Sequence, residues 1–319
     1  DWNGSSWVQV GQDIDGEANY DWSGYSVSLS SDGNRVAIGA PRNDGNGNDA
    51  GHVRIYSWNG SSWIQLGQDL DGEGPSEQAG FSVSLSSDGG RVAIGSPGHS
   101  MGFSDGHVRI FDWNGSSWVQ VGQDIDGEAN GDVSGGSVSL SSDGSRVAIG
   151  ARYNHGNVGR GGHVRIYDWN GSLWVQLGQD IDGEATFDDS GHSVSLSSDG
   201  SRVAIGAPWN DGNGSEAGHV RIFDWNGSSW VQAGQDIDGE AADDQSGYSV
   251  SLSSDGSRVA IGALWNDGNV SEAGHVRIYD WNGSSWIQLG QDIDGEASND
   301  LSGYSVSLSN DGSRVAIGA

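Results

Sequence analysis

Apolar and polar residues alternate along this chain in short stretches of four or five, and turn-forming residues separate the stretches, a pattern that predicts strands and no helices. Between residues 58 and 113 four stretches follow one another: Trp63-Ile64-Gln65-Leu66, Ser82-Val83-Ser84-Leu85-Ser86, Arg91-Val92-Ala93-Ile94 and His107-Val108-Arg109-Ile110-Phe111. Alternation gives each strand an aliphatic pair on one face: Ile64 with Leu66, Val83 with Leu85, Val92 with Ile94, Val108 with Ile110. The opposite face is expected to carry Ser, Ala, Gly and the longer Arg109 and Phe111. Ser87-Asp88-Gly89 links the second and third strands too tightly for anything but an antiparallel hairpin, and Asn114-Gly115 closes the next one. One unit is therefore a four-stranded antiparallel meander.

The unit recurs. Trp-Asn-Gly-Ser-x-Trp begins at Trp2, Trp58, Trp113, Trp169, Trp225 and Trp281, at spacings of 56, 55, 56, 56 and 56. A lone sheet with one aliphatic face cannot bury it, whereas a ring of sheets lets each aliphatic face pack on its neighbour's small-residue face. The expected fold class is all-β, a β-propeller of six four-stranded antiparallel blades forming a single domain over 1–319. A parallel β-helix has shorter coils and no need of repeated tight hairpins.

The last blade is one strand short. Gly-His-Val-Arg-Ile occurs only five times, and six full units of 56 would occupy 336 residues, seventeen more than the 319 present. An open edge of this kind invites another strand. The chain reads as a segment of a longer repeat protein, or as a subunit that self-associates or takes a strand from a neighbouring protein through the open last blade.

Composition narrows the function classes. The net charge is −30, all 14 basic residues are Arg, and the acidity is spread over every repeat, so nucleic acid would be repelled along the whole surface. No apolar run approaches 18 residues, which excludes membrane insertion by a helix. Cysteine is absent, and no leader precedes Asp1, so the sequence reads as a mature or excised segment in which no secretion signal is visible. The acidic shell suits an extracellular or cell-surface setting.

Candidate chemistry lies in three repeated features. The run Asp-[Ile/Leu]-Asp-Gly-Glu follows each tryptophan strand: Asp13, Asp15 and Glu17; Asp69, Asp71 and Glu73; Asp124, Asp126 and Glu128; Asp180, Asp182 and Glu184; Asp236, Asp238 and Glu240; Asp292, Asp294 and Glu296. Alternate carboxylates around a glycine make these runs candidate calcium sites, although three ligands fall short of a full calcium loop. Eight Asn-x-Ser sequons are candidate glycosylation sites: Asn3, Asn59, Asn114, Asn170, Asn226 and Asn282 at the tryptophan hairpins, with Asn213 and Asn269 in the longer loops. Trp22, Trp209 and Trp265 stand outside the paired-tryptophan pattern, in loops, where aromatics can stack on sugars. His52, His107, His163, His219 and His275 each precede Val-Arg-Ile, and five copies of one group mark a structural pattern. No catalytic constellation is present, so an enzyme is not expected.

Gly80-Phe81-Ser82-Val83, Gly95-Ser96-Pro97 and Gly106-His107-Val108-Arg109-Ile110 together resemble the FG-GAP repeat of integrin-α-type propellers, as do Gly39-Ala40-Pro41 and Gly206-Ala207-Pro208. Here the aromatic follows the glycine, and Ser-Asp-Gly replaces that family's acidic calcium loop, so its calcium sites do not carry over. The resemblance implies an extracellular recognition or adhesion module rather than a catalyst. The leading expectation is thus a non-catalytic extracellular scaffold, glycosylated and built into a surface assembly or filament; the alternative is a multivalent carbohydrate-binding propeller.

Overall fold

The Ser-Asp-Gly turns fold as their composition demands. Asp32 accepts hydrogen bonds from Ser30 Oγ at 2.6 Å and from the Asn34 N–H at 2.9 Å, while Gly33 adopts φ +69°, which a side chain would resist. These turns recur as hairpins throughout the computed structural model, which describes residues 2–98, 105–156, 158–268 and 270–319.

The first sheet comprises Ser26–Leu29, Arg35–Ala40, His52–Trp58 and Trp63–Gln65, paired in that order and antiparallel. A fifth strand of two residues, Leu70–Asp71, returns to pair with His52–Trp58, an addition to the expected four. Four more sheets repeat this plan over 82–126, 134–182, 193–238 and 246–294. The sixth unit contributes two strands, Ser305–Leu308 and Val315–Gly318. Blade-like antiparallel sheets, repeated around one axis, confirm the all-β propeller.

The strand faces differ from the expected ones in two places. Val92 lies opposite Phe111, Ala93 opposite Ile110 and Ile94 opposite Arg109. The register of that hairpin therefore puts Val108 and Ile110 on the Ala93 face, with Arg109 and Phe111 beside Val92 and Ile94. In the outer strand the indole goes inward and the aliphatic outward: Trp118 is buried, while Ile64 is 53% exposed.

Each interior interface is formed by unlike faces. Val83, Leu85, Val92, Ile94, Phe111 and Trp118 of the second sheet pack on Ala37, Val53, Ile55 and Leu70 of the first. The same arrangement recurs farther round, where Val250, Leu252, Val259 and Ile261 meet Ala204, Val220 and Ile222. At the closest point backbone touches backbone: a Cβ on Gly95, Gly150 or Gly206 would overlap the carbonyl of Gly135, Gly191 or Gly247 in the following sheet.

The first sheet presents the same aliphatic face without such cover, and Val27 and Leu29 are 62% and 61% exposed. Residues 8–15 nevertheless sit on its rim as the outer part of a preceding blade would. Trp63 Nε1 donates to the Val10 carbonyl at 3.0 Å and Arg54 Nη2 to the Asp15 carbonyl at 2.7 Å, as Trp118 and Arg109 do to Leu66 and Asp71. Trp2 and Trp7 share a recess with Arg314 of the sixth unit.

Adding one methyl group tests the close approach. Gly206→Ala is expected to lower stability by about 1–3 kcal/mol through overpacking against Gly247, read from the midpoint of urea denaturation at unchanged slope; an unchanged midpoint would show that the sheets can part.

Candidate functional site

Each third strand opens on a histidine, and the ladder sets it opposite the second Asp of an acidic run: His52 opposite Asp71, His107 opposite Asp126, His163 opposite Asp182. His52, His163, His219 and His275 are at most 2% exposed. Desolvation keeps these imidazoles neutral, lowering His163 and His219 to about 4, with Arg165 and Arg221 adding to the effect. Burial also lowers His52 and His275.

The three carboxylates of a run do not meet at one point: the two Asp side chains stay by their own sheet's histidine, as Asp69 and Asp71 do by His52, while the Glu turns to the next sheet. The first Asp accepts a hydrogen bond from the glutamine four residues earlier: Asp13 from Gln9, Asp69 from Gln65, Asp124 from Gln120, Asp180 from Gln176, Asp236 from Gln232 and Asp292 from Gln288. The second Asp lies in the two-residue strand in five of the runs, and its backbone carbonyl receives an arginine of the following sheet at Asp15, Asp71, Asp126, Asp182 and Asp238. Glu17, Glu73, Glu128, Glu184 and Glu240 lie 3.5–3.6 Å from that same arginine. What the fold gathers instead is a mixed set, in which Glu17 of one run meets His52 and Asp69 of the next unit. Asp294 and Glu296 stand exposed beside the sixth unit.

The hairpin sequons are exposed at Asn3, Asn59, Asn114, Asn170, Asn226 and Asn282. Their Oδ1 atoms hold the turn, as where Asn59 accepts from the Ser61 N–H and Oγ at 2.9 Å. The Asn59 Nδ2 keeps only a 3.3 Å contact with Ser62 Oγ. Asn213 differs: its Nδ2 donates to the Gly239 carbonyl at 2.7 Å, which ties the amide to the next loop. Asn269 lies outside the described residues.

The site that sequence reading missed lies at one mouth of the axis. Tyr25, Phe81, Gly136, His192, Tyr248 and Tyr304 each follow the same repeated glycine or serine-glycine step, and the ring brings all six, with Arg152, around a cavity of about 420 Å³. Tyr25 and Phe81 lie 4.8 Å apart, His192 and Tyr248 4.5 Å, Tyr248 and Tyr304 5.3 Å. The loop tryptophans buttress this cup: Trp22 stacks on Tyr25 beneath the Arg42 guanidinium, and Trp209 meets the His192 ring edge-on. Trp265 lies apart, in a recess with Asp267 and Glu272. The signal available was the position after the glycine, which varies from unit to unit while its surroundings do not.

Burial and the Arg152 guanidinium, 3.2 Å from its Nδ1, hold His192 down to about 3. Burial likewise pushes the Tyr25 and Tyr248 phenols above their ordinary range. A cup of ring faces with one permanent cation suits a polar ligand that has a face to stack.

Asp189 lies below this rim, and burial pushes its carboxyl up to about 7 in spite of Arg152 and Arg160. The folded protein thus holds a proton that the unfolded chain releases near its ordinary value of 3.8. Stability from this group is full at acid pH and is lost as pH rises toward 7. Asp189→Asn is expected to gain about 3 kcal/mol on the wild type between pH 5 and pH 8, measured as the difference between paired urea melts; parallel pH profiles would overturn the assignment.

The FG-GAP repeat family model matches residues 13–56 and 181–223, each span running from an acidic run through the inner hairpin to the third strand. Among solved structures the chain is similar to Kuenenia stuttgartiensis hydrazine synthase, at 16% identity and TM-score 0.58 over 92% of this chain and 82% of that one. It is also similar to a candidate 6-phosphogluconolactonase of Bacteroides uniformis, at 11% identity and TM-score 0.62 over 92% and 77%. At these identities the likeness is one of fold alone. No curated protein matches the chain. No helix long and apolar enough to cross a membrane occurs among the described residues. The units outside the two matched spans repeat the same strands and turns at the same spacing, and the chain is a β-propeller that contains FG-GAP repeats.

Proposed function

We propose that this propeller is a non-catalytic scaffold of the cell surface or extracellular space, a building unit for adhesion or filament assembly that engages its neighbour at the sixth unit. The supporting observation is the sheet edge left unpaired within these 319 residues, whether the strand that covers it lies further along the same polypeptide or on a neighbouring molecule. Among the described residues Val315–Gly318 pairs only with Ser305–Leu308, and Trp7, Val27, Leu29 and Tyr304 stand exposed around the gap. In every complete sheet the strand beside Arg-Val-Ala-Ile is His-Val-Arg-Ile-[Tyr/Phe], so the occupant that fits is an extended segment of that type. It would come from another copy of the repeat. The exposed hairpin asparagines support a glycosylated surface, and the charge of −30 keeps such a unit soluble in salt.

A synthetic Gly-His-Val-Arg-Ile-Tyr-Asp-Trp peptide is expected to bind the protein and raise its melting temperature, and self-association seen by light scattering should compete with that binding. Val27→Asp with Leu29→Asp should weaken both. A protein that stays monomeric at high concentration and ignores the peptide would refute the reading.

The axial cup favours a second reading, carbohydrate binding, since ring faces beside one arginine suit a sugar with an acidic group. A glycan array decides it: saturable binding that Tyr248→Ala and Arg152→Ala abolish supports a lectin, and no binding excludes one.

A further inference from the structure

Four times around the ring, a carboxylate of one unit, a histidine of the next and that unit's first run aspartate offer ligand atoms within 4.8 Å of one another. The sets are Glu17, His52 and Asp69; Glu128, His163 and Asp180; Glu184, His219 and Asp236; Glu240, His275 and Asp292. We propose that these sets bind a borderline divalent cation, Zn²⁺ being the type case, between neighbouring blades.

Acidic groups alone would carry no such assignment in a protein this acidic. The histidines do. Both ring nitrogens of His163 and of His275 lack a hydrogen-bond partner although each residue is 1% exposed, and His163 Nδ1 points at Glu128 from 3.9 Å. Leaving a buried polar atom without a partner is costly, and the same omission recurs in two units. A cation would take up the lone pair of a neutral imidazole.

The remaining donors fit that ion. Asp180 already accepts the Gln176 amide at 2.6 Å, which orients its carboxylate while a second oxygen stays available. Glu128 is half-exposed and free to change rotamer, so it can close the distance. Two carboxylates would offset the ion's two charges, with Glu128 turning to the ion from its 3.6 Å ion pair with Arg165. One nitrogen with two oxygens favours Zn²⁺ or Co²⁺ over Ca²⁺, which takes six or more oxygens. This ligand set differs from the three carboxylates of a single run, because it joins two units and includes nitrogen. Bound ions would cross-link adjacent blades.

The test uses the whole chain, stripped with chelator and titrated with Zn²⁺ by calorimetry in excess Ca²⁺, and in parallel with Co²⁺ by visible absorption. Up to four ions per chain are expected, one for each set. Glu128→Gln and His163→Gln should each remove one equivalent and lower the Co²⁺ absorption by about a quarter. Circular dichroism checks folding, and if His163→Gln fails to fold, Glu128→Gln at the exposed carboxylate carries the test alone. An unchanged count in a folded variant, a Co²⁺ spectrum of purely oxygen ligation, or displacement of Zn²⁺ by equimolar Ca²⁺ would overturn the proposal.

Discussion

The structure depends on how closely one sheet approaches the next. The Gly95 backbone lies under the Gly135 carbonyl with no room for a Cβ, and Ser82 Oγ donates to that same carbonyl at 2.8 Å. The pair of contacts recurs at Gly150 with Gly191, Gly206 with Gly247 and Gly262 with Gly303. This spacing is what lets Ala93 and its equivalents receive the aliphatics of the following sheet. A wider gap would leave the interior unfilled; a narrower one is sterically closed.

Much of this was legible in the chain itself. The Trp-Asn-Gly-Ser-x-Trp period, the Ser-Asp-Gly turns and the alternation of Val and Leu with Ser are local signals, and they specify strands, hairpins and repeat number directly. The face of Val108 and Ile110 was not legible, because it depends on the register with Arg91–Ser96, which the alternation within either strand does not specify. Ile64 misled for another reason: in a three-residue outer strand, an inward indole that donates to the neighbouring unit displaces the aliphatic to solvent. The axial cup left only the variable position after the repeated glycine as a signal, since Tyr25 and Tyr304 become neighbours only through the curvature of the whole ring.

In the acidic runs, neighbours along the chain part company across an interface. Asp69, Asp71 and Glu73 are adjacent in sequence, yet strand pairing turns Asp71 toward His52 while Glu73 reaches forward to Arg109. Proximity along the chain became proximity across two interfaces. By contrast, the positions that vary from unit to unit, such as Gly136 and His192 where other units have Tyr or Phe, collect at one mouth of the axis. The repeated residues hold the ring together, and the unrepeated ones give it a particular surface.

The ties between units have a common form: a side chain donates and a main-chain carbonyl accepts. Arg91 reaches Gly144, Arg146 reaches Gly200 and Arg202 reaches Gly256, each at 2.8–2.9 Å, while Trp118 and Trp174 donate back to Leu66 and Val121. Such an acceptor is present whatever residue bears it. At these ties a unit reads its neighbour as backbone, whereas its ion pairs, such as Arg165 with Glu128, call for a particular side chain. Copies joined in this way are interchangeable parts, and unequal recombination between them would add or delete a whole blade while leaving every junction chemically intact. The near-identity of the six copies is what a lineage that lengthens and shortens by such exchange would carry.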